Sequence, residues 1–101
     1  MSVVDIQSTA TELPDPWSSL LLGQVGSTGV KVLRMDGRPL GPESHDTAEA
    51  LLVADGTLQL VADGFEVEVR SGEMYLVEAG VKHAVRPGSH GTLVVIEHVS
   101  E

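Results

Sequence analysis

The chain contains no cysteine, which excludes a disulfide framework, a thiolate zinc site and a cysteine nucleophile together. Any metal ion would have to be held by histidine and carboxylate. Aromatic residues are scarce, with one Trp, one Tyr and one Phe. Basic residues are scarce as well: 6 Lys and Arg stand against 15 Asp and Glu, for a formal charge of −9. That balance repels phosphate backbones and anionic lipid headgroups, so neither nucleic acid nor a membrane surface is expected as a partner. No apolar run approaches the roughly 18 residues of a membrane span. The opening Met-Ser-Val-Val-Asp-Ile lacks the basic start and apolar stretch of a secretory signal. A cytoplasmic protein is expected. A phosphate-cradling Gly-rich loop followed by lysine and a Gly-x-Ser-x-Gly elbow are also missing.

What is present is β punctuation. A chain of 101 residues is one domain, and from Val25 onward glycines interrupt short runs of Val, Leu and Ile. No segment longer than about ten residues keeps a helical period. The clearest hairpin is Thr57 to Val61 against Phe65 to Val69, joined by Ala-Asp-Gly, where Asp-Gly supplies the positive φ of a tight turn. Phe65-Glu-Val-Glu-Val-Arg alternates strictly, which gives one buried and one charged face; Phe65 is assigned to the core. Further strands are expected at Met74 to Val77, around His83 to Val85, and from Thr92 to Val99. Residues 1–22 read as an N-terminal arm, with an edge strand at Val3 to Ile6 and with Trp17 and the following leucines covering one end of the core. Residues 23–101 read as an antiparallel sandwich or barrel. In a chain this small, a jelly-roll barrel closes its edges with the least material.

Two pieces carry chemistry. Gly41 to Gly56 concentrates Glu43, His45 and Glu49 just ahead of an apolar run. On a strand Glu43 and His45 share a face, and Asp46-Thr47-Ala48 has the composition of a turn that would bring Glu49 back beside His45. Gly72 to His83 supplies a further histidine. Simpler roles stand beside these: His45 as a surface turn residue, Glu49 as a turn cap, His83 as a hydrogen-bonded core residue. His90, between Ser89 and Gly91, reads as solvated, and His98 is left out of the site. Either Met74 or Tyr75, which alternate, should face the interior.

The two pieces together resemble the cupin family. Its first motif is glycine, histidine-x-histidine, glutamate three or four residues on, and a closing glycine. His45 matches the second histidine, Glu49 the glutamate and Gly56 the closing glycine; Glu43 stands where the first histidine is expected, and Gly41 lies closer to it than the pattern asks. In the second motif Gly72, Gly80 and His83 fall at the family spacing, with Glu78 in place of a proline and Pro87 in place of an asparagine. The resemblance implies an antiparallel jelly-roll β-barrel. It also implies a divalent metal ion (Fe, Mn, Ni, Co or Zn) inside the barrel on His45, Glu49 and His83, with Glu43 as a fourth ligand.

Two imidazoles and one carboxylate can form a facial triad with open positions. Glu43 alternatively supports a ligand or acts as a catalytic base, and loss of a histidine is also compatible with a metal-free pocket. The functions implied are a metal-dependent enzyme on a small oxygenated substrate, of dioxygenase, isomerase or decarboxylase type; a non-catalytic module binding a sugar-like or carboxylic small molecule; or a metal-free, epimerase-like acid/base enzyme. A homodimer is expected.

Overall fold

The structure, a computed structural model, describes residues 3–99. Its first element is a helix, α1 (Ile6–Glu12), where the sequence suggested an edge strand over Val3 to Ile6. The reason is local: the Asp5 carboxylate accepts a hydrogen bond from the Ser8 N–H at 2.9 Å, so Asp5 caps a helix at the point where a strand would have continued. Only Ala10 of this helix is buried, and α1 lies against the second and fourth strands.

Eight strands follow: β1 (Leu20–Val25), β2 (Thr28–Asp36), β3 (Leu40–Glu43), β4 (Glu49–Ala62), β5 (Phe65–Arg70), β6 (Met74–Val77), β7 (His83–Val85) and β8 (His90–His98). They pair antiparallel in the order β1-β2-β8-β4-β7-β3, with β5 and β6 also on β4. The fold is an all-β jelly-roll barrel. β4 is the strand that makes closure possible. Its first part pairs with β6 and β8, its second with β5 and β7, so it runs from one layer of the barrel into the other. The register against β8 slips between Val53 and Asp55, and beside the slip Gly56 faces Gly91. Both have positive φ, 87° and 107°. A Cβ on Gly56 would meet the His90 carbonyl, and one on Gly91 the Asp55 carbonyl. The bend thus needs glycine on both strands, because two backbones occupy the space where side chains would start.

The hairpin of β4 and β5 turns on Asp63 and Gly64 alone, φ 51° and 82°, with Ala62 paired to Phe65. This two-residue turn fixes the register one position tighter than a three-residue Ala-Asp-Gly loop. It also places Phe65 directly beside the turn, at the closed end of the hairpin, 72% exposed. Phe65 is therefore not part of the core. The inward face of β5 is Val67 and Val69 instead, and the core gathers Leu33, Met35, Leu51, Val53, Leu58, Leu60, Val69, Val77, Leu93 and Val95. Of the alternating pair on β6, Tyr75 packs on this core and Met74 is exposed.

The segment between α1 and β1 is tied down by β2. The Trp17 N–H donates to the Arg34 carbonyl at 2.8 Å, its indole N–H donates to Asp36 at 2.7 Å, and the Arg34 guanidinium donates to the Leu13 carbonyl at 2.9 Å. Trp17 takes φ 64° to do this. It packs on the core cluster, which suits its expected covering role. Strand pairing begins at Leu20, opposite Val32.

Candidate functional site

The first site residues arrive on β3 and the bend after it. β3 pairs with β7 so that Glu43 sits opposite His83, and residues 44–48 then turn the chain into β4, which begins with Glu49. The turn ahead of β7 is bound to this bend. Gly80, at φ 79°, donates its N–H to the His45 carbonyl at 2.8 Å, which joins the two sequence motifs through backbone alone.

The outcome is a convergence of three side chains. One ligand atom from each of His45, Glu49 and His83 falls within 4.8 Å of the others. His83 Nε2 is 3.0 Å from Glu49 Oε1, and His45 Nε2 is 4.0 Å from the same oxygen. The two imidazole rings are tilted by 52° with centroids 5.4 Å apart. Glu49 and His83 are each 8% exposed. Glu43 approaches His45 alone, with its carboxylate 3.7 Å from His45 Nε2, and its side chain is 57% exposed. The structure thus brings three of the four expected residues to one point and leaves Glu43 at the rim. His90 and His98 are exposed and away from the cluster.

The donor set has a chemical requirement. His83 Nδ1 lies 3.0 Å from the Val81 carbonyl, and since a carbonyl only accepts, this nitrogen carries the hydrogen. In a neutral ring Nε2 is then a bare lone pair, and it faces a carboxylate oxygen. Two acceptors at 3.0 Å need a proton or a metal ion between them. Histidine ligands typically donate their remote N–H to a carbonyl in this way. Around an ion with bonds of about 2.0–2.2 Å, neighbouring ligand atoms sit roughly 3–4 Å apart. The Glu49 to His83 and Glu49 to His45 separations fall in that range, so the cluster is compatible with a divalent ion. Burial raises the Glu49 carboxyl above its ordinary value; His45 and His83 pull it back, and the Glu97 carboxyl pushes it up further. A buried carboxylate flanked by another is a group that gains from a cation.

The cluster opens onto a cavity of about 240 Å³. Most of its wall is apolar, from Leu33, Leu51, Leu58, Leu60 and Val95 among others, and Trp17 closes one side. Lys31 and Glu97 also line it. Sequence reasoning missed these two, although strand parity holds the signal: Lys31 alternates with Leu33 and Met35, and Glu97 with Val95 and Leu93, all inward.

A family model for the cupin domain matches residues 32–99. No curated protein matches the chain by sequence. Among solved structures, a cupin-2 domain containing protein from Shewanella frigidimarina NCIMB 400 superposes with a TM-score of 0.87 at 23% identity, over 96% of this chain and 95% of its own. NMB1881 from Neisseria meningitidis gives 0.83 at 20%, over 97% and 100%. A hydroquinone 1,2-dioxygenase, PnpCD, solved with Cd2+ and 4-hydroxybenzonitrile, gives 0.80 at 15%, over 95% and 72%. At these identities the likeness speaks to fold alone. Among the described residues no helix is long and apolar enough to cross a membrane.

Proposed function

We propose that this chain, which belongs to the cupin family, holds a divalent metal ion on His45, Glu49 and His83 and acts on a small oxygenated molecule inside the barrel. The observation that carries this reading is the pair of facing acceptors, His83 Nε2 and Glu49 Oε1, 3.0 Å apart with His45 beside them. Two nitrogens and one carboxylate suit Fe, Mn, Co, Ni or Zn. A bound ion would supply Lewis acidity and open positions for an oxygenated substrate.

The rest is done by the protein. Val81 orients the His83 ring through its Nδ1–H, the leucines and valines of the wall exclude water, and Glu43 at the rim is placed to accept a proton from a molecule entering beside His45. The chemistry is of dioxygenase, isomerase or decarboxylase type. The direct contact of Glu49 with His83 also favours a second reading, in which the pair exchanges a proton with substrate and no metal takes part. The barrel is further proposed to form a C2 homodimer through β1, an end strand with Leu20, Leu21 and Val25 exposed; a monomeric mass in light scattering at all concentrations would refute this.

Element analysis of untagged protein, compared with a His45→Ala, His83→Ala double variant, separates the metal reading from the metal-free one. One ion per chain is expected in the native protein and none in the variant. Metal at about 100 times its dissociation constant should stabilise the native fold by about 2.7 kcal/mol, a rise in Tm of about 10–20 °C for a domain of this size. Absence of both stoichiometric metal and any such rise sinks the metal reading.

A further inference from the structure

We propose that Lys31 anchors an anionic group of the molecule bound in the barrel, so that the ligands of this protein are small carboxylic acids. This rests on the reading of the cavity as the ligand site. Lys31 is the one Lys or Arg among the described residues that lines that cavity. Its side chain is 25% exposed, and Glu97 Oε2 holds the ammonium at 2.8 Å. That contact is its one hydrogen bond among the described residues. An ammonium has three donors, which leaves two for a ligand.

The surroundings give the anion one ammonium partner among the lining side chains. Glu43, Glu49 and Glu97 also line the cavity, and Glu97 sits directly across the β4–β8 pair from Glu49. Away from an ion on His45, Glu49 and His83, this acidic lining repels a carboxylate except beside Lys31. The Lys31–Glu97 pair, each side chain a quarter exposed, contributes little to stability. What the pair does is present a positioned ammonium to the cavity. The volume, about 240 Å³, lies below the roughly 300–1,000 Å³ of pockets for drug-sized ligands, so the acid has few carbons.

Trp17 is the only tryptophan and lines the same cavity, so its fluorescence reports binding. Pyruvate and lactate, and their neutral amides pyruvamide and lactamide, are titrated at constant ionic strength into metal-loaded and chelator-treated protein. The acids are expected to bind about tenfold or more tightly than the amides in both forms, the size of a hydrogen bond to a charged group. Lys31→Met should abolish that preference while metal content is unchanged, and Lys31→Arg should restore part of it. Lys31→Gln replaces the methionine variant if that one melts early.

Equal binding of acid and amide, no saturable response to either acid, or a preference kept in both neutral variants overturns the proposal. Protein that carries no metal but prefers the acids sinks the metal reading and leaves Lys31 in its role. Protein that binds metal and shows no preference does the reverse.

Discussion

Two halves of the barrel are built from the same three strands and differ in what those strands turn inward. In one half Met35 and Leu33 of β2, Leu93 of β8 and Val53 and Leu58 of β4 pack together, none more than 8% exposed. Four register positions further along, the inward residues are Glu97 on β8 and Glu49 on β4, with Lys31 diagonal to Glu97 and His83 reaching across from β7. Backbone pairing is continuous through both halves. The dry half is filled by branched and long apolar chains, of which Leu33, Leu58 and Leu93 also form part of the cavity wall, whereas the other half carries charged groups whose heads need partners. A site therefore arises in this fold from a change of residue type at the last inward positions, without any change of architecture.

The comparison can be broken from the dry side. Met35→Ala should cost about 2–5 kcal/mol in urea denaturation, the largest effect among these variants, while metal content per folded molecule stays at the native level. If metal is lost in step with stability, the two halves are not separable.

From the polar side the expected effect is pH-dependent. The folded-state value of Glu49 is raised above its ordinary 4.5, chiefly by burial. The folded protein therefore holds that proton more tightly than the unfolded chain. Its contribution to stability is full below the ordinary value and is lost as pH rises through the raised one. In chelator-treated protein, the stability difference between native and Glu49→Gln should change in the variant's favour over that interval. A difference that is constant with pH would show that burial of Glu49 carries no such penalty.

The smallest change is expected at the rim. Glu43→Gln alters an exposed group and should shift stability by no more than about 0.5 kcal/mol with metal retained. Loss of metal equal to that in Glu49→Gln would make Glu43 a ligand and move the boundary of the site outward.

Much of the fold was legible because its signals are local. The alternation of Phe65 to Arg70, the Asp63-Gly64 turn and the glycines bounding β6 and β7 each act within a few residues. Errors arose where a local rule had two outcomes. Asp5 can start a helix or interrupt a strand, and the hydrophobicity of Phe65 points inside although the two-residue turn sets it at the exposed turn end of the hairpin. Lys31 and Glu97 carry no motif signal, and their inward parity with Leu33 and Val95 is the one local sign of their place.

By itself the sequence determined the barrel class and the ligand-type residues His45, Glu49 and His83 with their spacing, since both follow from periodicity and short motifs. Tertiary structure alone decided which of those residues meet. Glu49 and His83 are neighbours because β3 and β4 pair with β7 and because Gly80 binds the His45 carbonyl. Such contacts join positions far apart in the chain, and no local rule specifies them. The same holds for Glu43 at the rim, whose place depends on how far β3 runs before the chain turns.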